Sequence, residues 1–425
     1  MLGNTVSTAT VPVADNNTQH VMNVAIIGGG AAGFFAAIAV KENYPHASVV
    51  ILEKSPNILA KVKVSGGGRC NLTNACADIK ELAQGYPRGA AALKRALRSF
   101  DNHQAMRWFA ERGVPLVVQA DNCVFPRSQD SQSVIDCFLQ QTKKLHITIE
   151  LNSGVKAIRK VADQLQLSFI GGKLPNRSFD KVIVASGGSP QRDGLVWLEK
   201  LNHRIENPVP SLFTFKMPDE PVAALMGIVV ENTLVAIQGT KFKAQGALLI
   251  THWGMSGPAI LKLSAFGARF LSEQNYQCKV QVNWTGERNQ DLVAAALTKL
   301  VVQSPNKILA NLRPYSVAER LWNHLLAKSE LSTSKKWGEL GNVGLNKLVS
   351  ALTNDVYAVN GRTHFREEFV TCGGVSLDSI DMKTMHSKMC DNLYFAGEVM
   401  DIDGITGGYN FQAAWTTAYI AAKLK

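Results

Sequence analysis

The 425-residue chain holds no apolar run as long as the ~18 residues a membrane-spanning helix needs, so no membrane partner is expected. It has only seven cysteines, scattered and without a Cys-x-x-Cys pair. That argues against a zinc site and against a disulfide framework. No metal is expected, and reduced thiols point to the cytoplasm. The first 21 residues lack the basic start and apolar core of a secretory signal. They are expected to be disordered or peripheral, and Met22, directly before the first apolar run, is a candidate natural start. No RRM, KH or zinc-knuckle pattern occurs. Negative charge is also short: 34 acidic residues face 45 Lys and Arg, a net charge of +11. Such a balance favours anionic partners without choosing between nucleotides and nucleic acid.

The stretch from Asn23 to Glu53 organises the rest. Asn23 to Ile27 is short, apolar and strand-like. Gly28-Gly29-Gly30-Ala31-Ala32-Gly33 follows, then an Ala-rich segment, Phe34 to Lys41, that predicts a buried helix broken at Pro45-His46. Ser48 to Leu52 predicts a second strand ending on Glu53. Strand, glycine turn, helix, strand and acid within about 30 residues make a dinucleotide-binding βαβ unit. Gly28 permits the tight turn, Gly30 lets the backbone approach a pyrophosphate, and Gly33 lets the helix pack closely on the strand. The helix N-terminus would face phosphate with free N–H groups. Glu53 would accept hydrogen bonds from ribose hydroxyls. No second complete unit of this kind occurs, so a separate nicotinamide domain is not expected.

Beyond Glu53 and Lys54 a second motif runs from Lys63 to Asn74, with Ser65-Gly66-Gly67-Gly68-Arg69-Cys70-Asn71 at its centre. Three successive glycines exclude a helix or a central strand and suit close approach to a flat ring or a phosphate. Arg69 could pair with pyrophosphate. Asn71, Thr73 and Asn74 would cap the loop or donate to ligand oxygens. Residues 88–112 look helical and basic, with Arg88, Lys94, Arg95, Arg98, Arg107 and Arg112, and read as a solvated face. A hairpin-like excursion at 114–126, a helix at 131–144 and strands at 147–150, 154–159, 164–169 and 179–185 come next. The last of these feeds Ser186-Gly187-Gly188-Ser189, a further close approach of backbone to nucleotide. Pro208 to Leu212 breaks the pattern. Residues 213–282 are strand-rich, with an apolar helix after Pro258, and read as a small β-barrel. Helical patterns at 291–303, 316–328 and 340–353 read as a helical insert. A strand then returns at Tyr394, followed by Gly397-Glu398, Asp401, Asp403, Gly407-Gly408-Tyr409-Asn410 and a closing helix.

Five segments together resemble a family: IIGGGAAG (26–33), KVSGGGRCNLTN (63–74), THWGMSGPAIL (251–261), TCGGV (371–375) and YFAGEVMDIDGITGGYNFQAAW (394–415). From residue 22 to 425 the chain resembles the bacterial BaiN-like, or aminoacetone-oxidase-like, NAD(P)/FAD-dependent oxidoreductases. The resemblance implies an α/β fold with a split Rossmann-like FAD-binding domain of glutathione-reductase type, residues 22–195 and 371–425. A β-barrel (196–285), a helical insert (286–350) and a return through the barrel (351–370) would interrupt it. It implies FAD as cofactor, with NAD(P)H a transient electron donor. The expected cofactor contacts are Gly28, Gly30, Ala31, Ala32, Gly33, Glu53, Lys54, Lys63, Ser65, Gly66, Gly67, Gly68, Arg69, Cys70, Asn71, Gly187, Gly397, Glu398, Asp403, Gly407, Gly408, Tyr409 and Asn410. Glu398 or Asp401 would hold ribitol or ribose hydroxyls. The unpaired N–H groups of the closing helix would stabilise anionic reduced flavin.

Candidates for catalysis are His252, which could protonate a substrate carbon, Tyr409 beside the flavin motif, and Cys70. The substrate is expected between the FAD domain and the barrel, walled by the loop Thr251 to Pro258. Three activities fit. One is reduction of an unsaturated small molecule through flavin. The second is amine oxidation using O₂. The third is flavin-dependent reduction of uridine in ribosomal RNA, which the basic segment 88–112 and Lys299, Lys307, Arg313, Arg320, Lys335 and Lys336 would serve. No stable protein partner is expected.

Overall fold

The computed structural model describes residues 20–363 and 370–425. The expectation for residues 1–21 therefore lies, up to residue 19, outside the described residues, as does the 364–369 part of the return segment. Five strands run parallel in the order Leu393–Phe395, Lys181–Val184, Asn23–Ile27, Ser48–Leu52 and Thr148–Glu150. Their residues are nearly all apolar because both faces of the sheet are covered. On one face lies the helix Ala31–Asn43, buried along Ala32 to Val40. Its small residues allow close packing, and its Phe35 ring meets Trp108 at 4.7 Å and Trp415 at 5.6 Å. Trp415 belongs to the closing helix Tyr409–Ala421. A side sheet of Val155–Val161, Gln164–Phe169 and Arg177–Phe179 adds Ile158, Leu165 and Phe169 to the same core.

The basic segment 88–112 is two helices, Ala90–Ala96 and Asn102–Glu111. Asp101 restarts the second with a capping box, accepting from Gln104 N at 2.7 Å while Gln104 Oε1 accepts from Asp101 N at 2.8 Å.

The chain leaves this domain along Ile205–Ser211 and returns along Val370–Val375, and the two pair antiparallel. The break expected at Pro208 to Leu212 is thus, through Ser211, part of a strand. Proline is tolerated because the ribbon has only two strands, with a bulge between Glu206 and Val209. Opposite it, Gly373 at φ +109 leaves room for the Asn207 carbonyl, which would lie 2.5 Å from any Cβ there.

The barrel is a six-stranded antiparallel sheet in the order Phe215–Lys216, Gly254–Ser256, Lys243–Thr251, Val229–Ile237, Gln277–Asn283 and Asp355–Asn360. A bridge between Phe215 and Arg362 nearly closes it. Val235, Ile237, Leu248, Ile250, Val280 and Val282 alternate inward. The apolar helix after Pro258 is Pro258–Phe266. The helices Gln290–Gln303, Glu319–Lys328 and Gly341–Thr353 pack Val293, Leu297, Trp322 and Leu348 into the same core as the barrel strands.

Candidate functional site

The first glycine turn separates two kinds of glycine. At Gly33 a Cβ would lie 1.9 Å from the Gly28 carbonyl oxygen, and at Gly28 (φ +113) it would lie 2.4 Å from the Ala185 carbonyl oxygen. These two let the helix and the strand Lys181–Val184 pack closely. A Cβ on Gly30 would meet nothing within 4 Å. The helical ladder begins with Phe34 N donating to Gly30 O at 3.0 Å. The N–H groups of Ala31, Ala32 and Gly33 are therefore left facing outward at the positive end of the helix. Glu53 closes the turn: Oε2 accepts from Gly29 N at 2.7 Å and Oε1 from Ser55 N at 2.8 Å. Each oxygen keeps a lone pair for a ribose hydroxyl. Lys54 is exposed beside it.

The second motif starts as a helix at Ala60 and breaks at Ser65 (ψ 148), after which Gly66, Gly67 and Gly68 all have positive φ. The Ser65 hydroxyl donates to Val62 O, and Lys63 is exposed on the outer side of the helix. Gly66 lies against Asn71 and Phe125, whereas Cβ atoms on Gly67 and Gly68 would meet nothing. Gly187, after the strand Lys181–Val184, is equally open. Asn71 Oδ1 is buried without a hydrogen-bond partner. Arg69 is turned away from a pyrophosphate role. Its guanidinium stacks on Phe125 at 4.2 Å, and its Nε donates to Gly66 O at 3.1 Å.

The C-terminal motif packs onto both others. Gly397 touches Ala32, where a Cβ would lie 2.8 Å from the Ala32 methyl. Gly408 abuts Thr73, whose hydroxyl donates to Gln412 Oε1 at 2.6 Å, and Asn74 Nδ2 donates to Gly407 O at 3.1 Å. Glu398 is held by Lys61 at 2.6 Å and by Thr371 N at 2.9 Å. The Asn410 amide is committed to its own loop, pairing with Gly404 N at 2.8 Å and Gly404 O at 3.0 Å. The roles of Lys61, Thr371 and Gln412 are not legible in the sequence because their partners lie far along the chain.

Two acids of this motif take a different role from the one expected. Asp403 is fully buried and bonds Arg88 through Nε at 2.5 Å and through Nη2, with Ser211 Oγ donating at 2.8 Å. Arg88 Nη1 also reaches Ala265 O, in the barrel, at 2.5 Å. Asp401 is gripped by Arg269 at 2.9 and 2.8 Å. These are joints between the domains rather than cofactor contacts, and Arg88 is no part of a solvated face. Burial pushes the Asp403 carboxyl above its usual range, against the pull of Arg88.

The catalytic candidates separate sharply. Cys70 is fully buried at φ +61, and burial pushes its thiol up to about 12, so it is no nucleophile at neutral pH. The Tyr409 ring packs on Gly85 and edge-on to Tyr86 at 5.7 Å, and burial pushes its phenol up to about 12. These contacts make it a packing residue. His252 is exposed at the tip of a barrel hairpin, edge-on to Trp253 at 4.5 Å. Trp253 Nε1 donates to Thr214 Oγ1 at 3.2 Å, three residues past the crossing strand. Burial likewise raises Cys123, Cys137, Cys278 and Cys372 to about 11, so access decides among them. Alkylation of the native protein at pH 8 is expected to reach the half-buried Cys278 and Cys390 first and to spare Cys70 until denaturant is added, as peptide mapping would show.

The residues present fit a bound dinucleotide. Open glycines at 30, 67, 68 and 187, an orphaned Asn71 oxygen and unpaired helix N–H groups offer a cradle for it, whereas the other glycines of these motifs meet neighbouring atoms. Fold and cradle define a Rossmann-type dinucleotide-binding protein. The chain belongs to the HI0933-like family, whose Rossmann-domain model matches residues 22–424. It is 28% identical to a 3-dehydro-bile acid delta(4,6)-reductase of Clostridium scindens, over 94% of this chain and 98% of that one. It is also 28% identical to a ribosomal RNA dihydrouridine synthase of Haemophilus influenzae, over 95% and 98%. Among solved structures, a 3-ketosteroid-Δ4-(5α)-dehydrogenase of Rhodococcus jostii superposes with a TM-score of 0.48 at 13% identity, over 96% of this chain and 99% of that one.

Proposed function

We propose that the protein uses FAD, reduced by NAD(P)H, to reduce a carbon–carbon double bond conjugated to a carbonyl. The observation that carries this reading is the cradle, whose open glycines and orphaned Asn71 oxygen suit a flavin dinucleotide. The named activities of the two kinds of relative share this one chemistry: a dienone and a uracil ring each present an alkene polarised by a carbonyl. FAD when bound supplies the hydride. In this reading the N–H groups of Ala31 to Gly33 hold the pyrophosphate, Glu53 orients the ribose, and the N–H groups at the start of the closing helix favour negative charge on the ring edge. The barrel loop Thr251 to Pro258 walls the substrate, with His252 delivering the proton.

Anaerobic reduction of the purified protein by NADH or NADPH, followed by mixing with an enone, with a uridine-containing RNA or with air, tests this. Fast reoxidation by an alkene is expected. A colourless protein, released FMN, or reoxidation by O₂ alone would overturn it. His252→Ala and Trp253→Ala should keep FAD and slow only alkene-dependent reoxidation. Glu53→Ala removes a charge-assisted acceptor worth about 1.5–3 kcal/mol. FAD affinity should then fall roughly tenfold to a hundredfold on titration.

The RNA form of this activity is favoured by one further observation. Lys94, Arg95, Arg98 and Arg107 join a net charge of +11, and none of the four forms an ion pair among the described residues.

A further inference from the structure

The outer wall of the barrel carries an open groove of about 560 Å³ that the cradle does not use. Leu234 and Ala236 form its floor. Two cross-strand rows run over this floor. In one, Lys243 stands opposite Ala236 and Ala236 opposite Gln281; in the other, Gln245 stands opposite Leu234 and Leu234 opposite Asn283. Residues paired this way share a face of the sheet. Gln290 and Asn354 close the sides, from the start of one inserted helix and the end of another. The Lys243 ammonium and the amides of Gln281, Gln290 and Asn354 have no hydrogen-bond partner in the protein among the described residues.

One end of the groove adjoins the loop Thr251 to Pro258: at Gly246, next to Gln245, a Cβ would lie 3.5 Å from the Pro258 Cβ. The Gln245 amide accepts from Arg288 Nη2 at 3.0 Å, and its backbone carbonyl lies 3.4 Å from the Lys262 ammonium. Lys262 sits half-buried on the helix Pro258–Phe266, whose Ala265 carbonyl accepts from Arg88 of the nucleotide domain at 2.5 Å. Two cations, Arg288 and Lys243, therefore line the groove, and Lys262 stands against the Gln245 backbone at its edge.

This arrangement has a definite chemical preference. One small anion would need a single converging cluster of donors, whereas cations strung along a groove suit a chain of phosphates. Side-chain amides offer a donor and an acceptor together, which matches the edges of unpaired bases. An apolar floor accepts a ring face or a sugar. We propose that this groove is the track for the single-stranded RNA that flanks the base being reduced, with Arg288 and Lys243 on phosphates and Gln281, Gln290 and Asn354 on base edges. The proposal rests on the RNA form of the activity given above.

The test uses full-length holoprotein and a fluorescent single-stranded oligouridylate of about 12 nucleotides, within the range of known single-strand sites. Binding is followed by anisotropy over a salt series, for wild type and for Lys243→Ala/Gln281→Ala. FAD content and Tm of the variant are measured to confirm folding. Photocrosslinking with 4-thiouridine then maps the contact. Expected are salt-dependent binding by wild type and a variant roughly tenfold weaker. Its log K against log salt slope should be shallower by about 0.7, the value for one lost single-strand phosphate contact. Crosslinks should fall in peptides spanning 243–245 and 281–290. If wild type binds and the variant is unchanged, with crosslinks elsewhere, the groove is overturned while the RNA reading stands. If wild type binds no RNA at any salt, both fall. If NADPH displaces the crosslinks and excess unlabelled oligouridylate does not, the groove belongs to the electron donor and the proposal is wrong.

Discussion

Gly33→Ala is expected to yield a protein of low Tm that does not retain FAD, whereas Gly30→Ala should fold normally and lose only the cofactor. The two glycines sit three residues apart in one turn, yet they meet different things. A methyl at Gly33 would lie 1.9 Å from the Gly28 carbonyl oxygen, and this obstacle is backbone rather than the end of a movable side chain. Relief requires lifting the helix off the first strand, where Phe34 to Val40 are buried. Overpacking of this kind costs typically about 1–3 kcal/mol, and more where backbone must shift. At Gly30 the backbone, with φ −93 and ψ −170, accepts any residue, and the methyl meets no protein atom. It would instead occupy the space the pyrophosphate needs. Melting curves of the apoproteins and FAD titration separate the two effects. If the Gly30→Ala protein binds FAD as wild type does, the cradle is misplaced.

Arg88→Met is expected to cost about 3–5 kcal/mol, the penalty for leaving a buried partner charge uncompensated. Asp403 would keep its Ser211 hydrogen bond and lose both guanidinium contacts in a site with no access to water. Because Arg88 also holds the Ala265 carbonyl, the barrel should loosen on the nucleotide domain, and limited proteolysis near the crossing strands should quicken. The defect should depend on pH in a fixed direction. Burial already raises Asp403, and without Arg88 it would rise further. A carboxyl raised in the folded state favours folding below its ordinary value, and this contribution is lost as pH rises through the folded value. The variant should therefore approach wild-type stability as pH falls toward 4. Arg88→Met/Asp403→Asn should be more stable than the single variant at pH 7. Equal Tm for Arg88→Met and wild type at pH 7 would remove the joint from any stabilising role.

These two cases show what a sequence can disclose. The glycine turn, the helix behind it and the strand before Glu53 were legible because each is specified by neighbours in the chain. The same holds for the glycine loop at 66–68 and for the helices near 291–303 and 340–353. Arg88 was not legible. It sits in a basic stretch, and the residue that explains it lies 315 positions away. The role of Asp403 is hidden for the same reason: an acid in a flavin motif suggests a ligand contact, and only topology shows that an arginine fills its place. Pro208 suggests a break, since nothing local announces that its strand has a single partner. Cys70 lies within a motif that suggests reactivity, but its burial is a property of the folded surroundings.

The ribbon of Ile205–Ser211 against Val370–Val375 bears on how the protein is made. The barrel's strands all lie between these two crossings, so it can close while the C-terminus is still on the ribosome. The nucleotide domain cannot. Its sheet lacks the strand Leu393–Phe395, and its central helix lacks Trp415, until the last residues emerge. The usual order of synthesis, in which the N-terminal domain folds first, is reversed here. The most apolar segment of the chain waits longest for cover, so chaperone demand should centre on Phe34 to Val40.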